Sequence, residues 1–196
     1  MESIILASAS PRRQNILKML NIPFQVIIPD VDESDVDKSN LYKVPELLAV
    51  KKVKACFDII PAQRFVPWVL GADTLVCYGG KLFGKPSSAE QSLSFLQELQ
   101  GRTHDVITSI ALYNGRTQSV STTTNITKVT FKPMSDAELD WYVKTGEWLG
   151  AAAGYRIQGN ASCFIERIEG SMSCVVGLPI SNLYDILTKQ GYSILE

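Results

Sequence analysis

The chain is short of several things, and each shortage removes a class of protein. It has one histidine, His104. Standing at a strand start in "GRTHDV", it reads as a hydrogen-bonded structural side chain, and no Ser-His-Asp arrangement can be built around it. Its four cysteines, Cys56, Cys77, Cys163 and Cys174, are scattered with no C-x-x-C pair. They read as reduced thiols rather than a zinc site or a disulfide framework. An excess of one charge is also missing: 19 basic residues stand against 20 acidic ones, for a net charge of -1. A general polyanion binder is usually basic, so nucleic-acid polymers and membrane surfaces are not expected partners. Small anionic ligands remain open, because they need only local charge. The apolar runs fall well short of the roughly 18–20 residues that span a bilayer. "MESIILASAS" has no basic stretch followed by an apolar region and a cleavage site, so a cytoplasmic location is expected. No G-x-x-x-x-G-K-[ST] spacing occurs, and no linker, repeat or low-complexity tract interrupts the chain.

What remains is 196 residues with 45% hydrophobic and 20% charged content, enough for one sizeable globular core. "SIILA" (3–7) reads as a buried strand, and a helix pattern follows from Pro11. "FQVII" (24–28) is a second strand and "VPELLAVKKVKACFDII" (44–60) a long helix. "FVPWVLGADTLVCY" (65–78) reads as a buried strand running into a polar break at Asp73. A helix over 88–101 has Gly101 just past its end. The second half alternates and is rich in Val, Ile and Thr, with Asn114-Gly115 marking a hairpin. Ser135 caps a short helix closing on Gly146, residues 161–170 read as a strand, and a helix follows Pro179. The pattern predicts one α/β domain over 1–196, a mixed twisted sheet with flanking helices, with two lobes around a central groove.

The chemistry-bearing residues cluster at element ends. Ser10-Pro11-Arg12-Arg13 fits a helix start, with Ser10 as N-cap and Pro11 in the first position. The arginines are out of place there, because a helix N-terminus carries partial positive charge and favours acids. An anion held by backbone N–H groups, a Ser8 or Ser10 hydroxyl and guanidinium forks would balance them. Asp73 in "GADT" is expected at a strand end, where it could hold Mg²⁺ or activate water; a turn aspartate is the plain alternative. Asp30, Asp32 and Glu33 add loop carboxylates. Lys51 and Lys52 cannot share a helix face, so at most one or two of the lysines in "VKKVKA" point into a groove. Lys85 stands between Gly84 and Pro86 on a rigid loop. Four cations (Arg12, Arg13, Lys52, Lys85) and two carboxylates (Glu33, Asp73) together suit phosphate chemistry, in which cations neutralise phosphates while carboxylates hold a metal and orient water.

These motifs resemble those of the Maf proteins, nucleoside triphosphate pyrophosphatases also called septum-formation proteins. "LASASPRRQNIL", "GADTLV" with "GKLFGKP", "GRTHDVITSI" and "YRIQGNASCFIERIEGSMSCVVGLPI" match that family's blocks in order and at compatible spacing, over nearly the whole chain. The resemblance implies a fold related to the ITP pyrophosphatases. It also implies Mg²⁺- or Mn²⁺-dependent hydrolysis between the α and β phosphates, and a homodimer. It assigns phosphate or substrate contacts to Ser8, Arg12, Arg13, Lys52 and Lys85, with Thr74 also on the substrate side. Glu33 and Asp73 would serve metal and water, with Asp73 the general base, and Gln158 would contact the base. The "SPRR", "ADT" and "IQG" forms resemble the subgroup acting on dTTP and UTP.

One stretch departs from the pattern. Where the family carries Glu-Pro-x-Asp-Lys-Ala-Gly, this chain reads Glu147-Trp148-Leu149-Gly150-Ala151-Ala152-Ala153, so an acid and a lysine are replaced. Arg156 is the expected source of the lost positive charge. A nucleotide-binding regulator of cell division with little turnover is the alternative reading that this change favours. Retention of Glu33, Asp73 and Lys85 favours the enzyme. A third reading, an ITP/XTP pyrophosphatase of the related family, is opposed by the SPRR and IQG blocks.

Overall fold

A computed structural model describes residues 1–61 and 63–195. Seven strands, β1 (Ile4–Ala7), β2 (Phe24–Ile27), β3 (Trp68–Tyr78), β4 (Lys81–Phe83), β5 (Thr103–Asn114), β6 (Ser119–Phe131) and β7 (Ile165–Glu169), form one sheet in the order β2-β1-β3-β5-β6-β7, with β4 on β3. Pairing is parallel for β1 with β2 and β3, and antiparallel for β3 with β4 and β6 with β7. The helices are α1 (Pro11–Met19), α2 (Val44–Cys56), α3 (Ala89–Leu99), α4 (Asp136–Lys144), α5 (Met172–Val176) and α6 (Ile180–Lys189). This is the expected mixed α/β architecture. The chain divides into two compact units, one of Met1–Asp73, Thr108–Asn125 and the chain from Gly177 onward, the other of Thr74–Ile107 and Ile126–Val176.

In the first unit, β1 lies between two parallel neighbours and buries all four residues. That is why "IILA" is a continuous apolar run instead of an alternating one. Helix α2 covers this part of the sheet, with Ala49, Val53 and Cys56 packed among Ile5, Ala7 and Val69. It stops at Cys56, four residues short of the expected end. Pro61 follows Ile60, and the residue before a proline is pushed out of the helical region; residues 57–60 form turns instead, with Ile60 N–H donating to Cys56 O at 3.0 Å.

The expected Asn114-Gly115 hairpin is present but built differently. Asn114 ends β5, residues 115–118 form the loop, and the Asn114 side-chain oxygen accepts from Arg116 N–H at 3.0 Å. The left-handed position falls on Gln118, at φ 52. Gly115 is needed for space: a Cβ there would run into the Val66 carbonyl.

In the second unit, Leu96, Leu99, Val106, Val129, Phe131 and Phe164 belong to one core. Ser135 caps α4 as expected, and it does so in a full capping box with Glu138. The strand expected over 161–170 is only half strand. Residues Asn160–Phe164 form a 3₁₀ turn, because Asn160 and Ser162 N–H groups are drawn to Glu147 and to Gly159 O. His104 lies in this core, its Nε2 2.8 Å from the Tyr155 hydroxyl and its ring edge-on to Phe131 at 5.1 Å. It is structural, as expected.

Burial pushes the His104 imidazole down from 6.5 to about 4, against the opposing pull of Asp105. The unfolded chain therefore binds a proton that the folded chain refuses. The stability this represents is complete above pH 6.5 and is lost as pH falls towards 4, with about 2 kcal/mol gone by pH 5. Urea unfolding at pH 7.5 and pH 5 measures it, and His104→Phe is expected to shrink the difference by that amount.

Candidate active site

The loop from β1 into α1 holds the first group. Ser10 has the extended backbone of an N-cap, but its side chain makes no capping bond. Ser8 instead ties the loop to the first helical turn. Its buried hydroxyl accepts from Ser10 N–H at 3.2 Å and from Arg13 Nη1 at 2.9 Å. Arg13 is 9% exposed, and its Nε donates to Gly177 O at 2.8 Å. Burial holds its ionisation below the ordinary range, while Asp73 and Glu33 favour the charged form and Arg12 opposes it. The chain's own carboxylates thus supply part of the counter-charge that two arginines at a helix N-terminus require. Arg12, one residue earlier, is half-buried.

The second group lies across α2 and β3. Asp73 was expected where the strand ends; β3 instead runs on to Tyr78. Two features explain this. The Asp73 carboxylate is neutralised locally, and Val76 and Cys77 pair with Phe83 and Leu82 of β4, which prolongs the strand. Asp73 still lies beyond the last residue of β1, because the β1–β3 ladder closes at Ala7 and Gly71. It therefore stands at the carboxyl end of β1, the usual ligand position in parallel α/β sheets. Asp73 is 7% exposed. Lys52 donates to its Oδ1 and lies 3.3 Å from Glu33 Oε1. Lys51 turns the other way, as the helical spacing predicts, to Asp35 and to the Asp32 carbonyl at 2.9 Å. The two lysines pin the loop that carries Glu33 onto α2. Asp32 is spent within that loop, accepting from Ser34 N–H at 2.8 Å, and Asp30 is exposed.

Gly71 sets the spacing of this cluster, a signal the sequence reading missed. A Cβ at Gly71 would meet the Ala49 carbonyl and lie 2.8 Å from Val53 Cγ2. Helix α2 thus rests directly on β3 backbone, two residues before Asp73. Lys52 lies between Ala49 and Val53 in sequence, so this close approach brings its ammonium to the carboxylate. A strand glycine at an element contact was the available clue.

In the second unit, Thr74 follows Asp73 along β3 and is half-buried, and Lys85 is exposed on the loop after β4. Gly84 O in that loop accepts from Ala153 N–H at 2.8 Å. Gln158 is exposed in a turn closed by Gly159 N–H donating to Arg156 O at 3.1 Å. The replaced stretch contains Ala153 at φ 53 and ψ 15, a left-handed conformation held by a non-glycine residue. Arg156 folds onto this same stretch, with Nη2 2.6 Å from Leu149 O.

Among the described residues no group of three or more His, Cys, Asp or Glu side chains gathers as a metal cage. The two carboxylates that share a cation are Glu33 and Asp73, and the cation is Lys52. Their oxygens suit a hard ion such as Mg²⁺, which is commonly bound through one or two carboxylates plus substrate phosphates.

The profile of the Maf-like protein family matches residues 3–190. This chain belongs to the Maf family. It is similar to the dTTP/UTP pyrophosphatase of Desulforamulus reducens, at 42% identity over 195 residues and 100% of both chains. The dTTP/UTP pyrophosphatase of Pelotomaculum thermopropionicum is 37% identical, again over 100% of both. Among solved structures, the Ham1 protein of Staphylococcus aureus matches at 15% identity with a TM-score of 0.44, covering 66% of this chain and 72% of that one. Among the described residues of this Maf chain, no helix is long and apolar enough to cross a membrane.

The close approach at Gly71 makes a test of the cluster's construction. Gly71→Ala is expected to force α2 off β3 and lower stability by about 1–3 kcal/mol. Val53→Ala in the same background, by vacating the space near Cγ2, is expected to recover only part of the loss, because the Ala49 carbonyl still blocks the Cβ. Urea denaturation of the single and double variants measures both.

Proposed function

We propose that this Maf chain is a nucleoside triphosphate pyrophosphatase acting on dTTP and UTP, releasing the monophosphate and pyrophosphate. The observation that carries this reading is the Lys52 ammonium shared by Asp73 and Glu33 beside the Arg12–Arg13 helix start. Three cations and two carboxylates there combine phosphate neutralisation with a proton acceptor. The names of the full-length relatives support the substrate class.

In this reading Ser8, Arg12, Arg13, Lys52, Thr74 and Lys85 hold the substrate, chiefly its phosphates, and Gln158 contacts the base. Ser8 and Gly177 keep Arg13 in one orientation, so little side-chain entropy is lost when an anion arrives. Glu33 and Asp73 would hold the divalent cation, Mg²⁺ or Mn²⁺, which would polarise the phosphoryl oxygens. Asp73 takes a proton from water, the water oxygen adds to the α-phosphorus, and the α–β phosphoanhydride bond breaks with pyrophosphate leaving. The Lys52 ammonium, paired with Asp73 and Glu33 among the described residues, turns to the phosphate oxygens and compensates the charge developing on them.

The deciding experiment is pyrophosphate release across dTTP, UTP, CTP, ATP and GTP with Mg²⁺. Release is expected for dTTP and UTP, lost on chelation and restored by Mg²⁺ or Mn²⁺. Asp73→Ala is expected to reduce it by about 10²–10⁴-fold. Tight nucleotide binding with no release in the wild type would reject the hydrolase in favour of a nucleotide-binding regulator.

Arg156 is proposed to replace the positive charge missing at Gly150-Ala151. Its guanidinium lies against that stretch through Leu149 O. Arg156→Ala is expected to raise KM for UTP several-fold; an unchanged KM would remove the residue from the substrate's surroundings.

A further inference from the structure

Gln158 sits in a turn fastened on both sides. Two residues before it, Arg156 N–H donates to the Tyr142 hydroxyl of α4 at 3.1 Å. Two residues after it, Asn160 N–H donates to both Glu147 oxygens, at 3.0 and 2.9 Å, and Asn160 Nδ2 donates to Oε1 at 2.8 Å. Earlier still, Tyr155 is buried on His104. Gly159 has an extended backbone, φ -115 and ψ -151, so no left-handed conformation requires glycine. Proximity does: a Cβ there would lie 2.6 Å from Glu147 Cδ and Oε1 and closer still to Oε2. The carboxylate is pressed against the turn backbone next to Gln158.

Such fastening matters for a carboxamide. Its oxygen and nitrogen are nearly isosteric, one accepting and the other donating, so a free glutamine can serve opposite hydrogen-bond patterns by flipping. Uracil and thymine present an N–H between two carbonyls. Cytosine presents a ring acceptor beside an exocyclic amine. A glutamine tells them apart only when its position leaves one orientation productive.

We propose that Glu147 is a positioning residue for nucleobase selectivity: its carboxylate clamps the Arg156–Asn160 turn and so fixes where the Gln158 amide is presented. This rests on the reading of Gln158 as the base contact. Glu147 touches neither phosphate nor water in this account and acts through the turn.

Steady-state kinetics of the full chain on UTP, dTTP and CTP test it. Glu147→Ala is expected to raise KM for UTP and dTTP about tenfold while kcat stays within about twofold, and to reduce the UTP-over-CTP ratio in kcat/KM by a similar factor. Glu147→Gln keeps one oxygen to accept from Asn160 N–H and is expected to recover most of the selectivity. Gly159→Ala, which displaces the carboxylate without removing it, is expected to reproduce the loss and serves in its own right should Glu147→Ala not fold. Gln158→Ala is expected to lose the same selectivity, with no further loss when combined with Glu147→Ala. Equal falls in kcat for all three nucleotides at an unchanged ratio would overturn the proposal; Gln158 as base contact survives that result if Gln158→Ala alone still erodes selectivity. Unaltered selectivity in Gln158→Ala would overturn both.

Discussion

A carboxylate that is 7% exposed in the middle of a strand cannot stand without a cation, and Asp73 has Lys52. Much of the first unit's local construction follows from that pairing. An unpartnered charge at such a position costs several kcal/mol, whereas the pair is tolerable if the geometry is good. Good geometry needs α2 close to β3, which is the work of Gly71. It also fixes the loop after β2, because Lys51 and Lys52 leave α2 in different directions and each takes an acid or a carbonyl of residues 32–35. Arg13 then has Asp73 and Glu33 to offset part of its charge. Remove the ammonium, and the strand that carries Asp73 and the loop that carries Glu33 lose a common partner.

The parts of this arrangement that were legible in the sequence are those set by local chemistry. Pro11 after Ser10 starts a helix wherever the chain goes next, and adjacent lysines on a helix diverge by geometry alone. The Ser135 cap is of the same kind, whereas β5, read as alternating, is buried without a break from Val106 to Leu112. Asp73 was misplaced for an instructive reason. A polar residue after an apolar run reads as a strand end, because propensity assumes its charge must reach water. Lys52, 21 residues away in sequence, removes that need, and β4 gives the overhanging strand a partner. The 3₁₀ turn at Asn160–Phe164 was hidden in the same way, since its organising group, Glu147, is 13 residues upstream. Gly71, Gly115 and Gly159 share a further lesson. Each is set by what lies against it, a carbonyl or a carboxylate, and not by a left-handed φ.

Ala153 shows the converse. Its φ of 53 belongs to a region that costs an alanine about 1–2 kcal/mol, and it holds the position where the family's stretch carries glycine. The conformation persists because Ala153 N–H is bonded to Gly84 O, the carbonyl just before Lys85, and the side chain is buried. Backbone strain of this kind survives where the surrounding bonds over-determine the geometry. The replaced stretch thus holds a left-handed residue without glycine, tied by its backbone to the loop that carries Lys85.

The charge cluster around Asp73 and the clamped turn around Gln158 suit different recognition problems on the proposed reading. A triphosphate offers several equivalent oxygens and a large charge, so long flexible cations find productive contacts over a range of positions, and accuracy is needed mainly where the proton moves. That fits a cluster in which Lys52 is held by its carboxylate partners until an anion competes for it. A nucleobase offers two or three hydrogen-bonding atoms in a fixed plane, and a carboxamide displaced by an ångström reads them poorly. Backbone clamps suit that task better than charge does. They are short and directional, and an N–H bonded to a carboxylate has no rotamers to search. The second unit accordingly spends a glutamate, a tyrosine hydroxyl and a glycine on holding five residues still, and leaves one exposed amide at their centre.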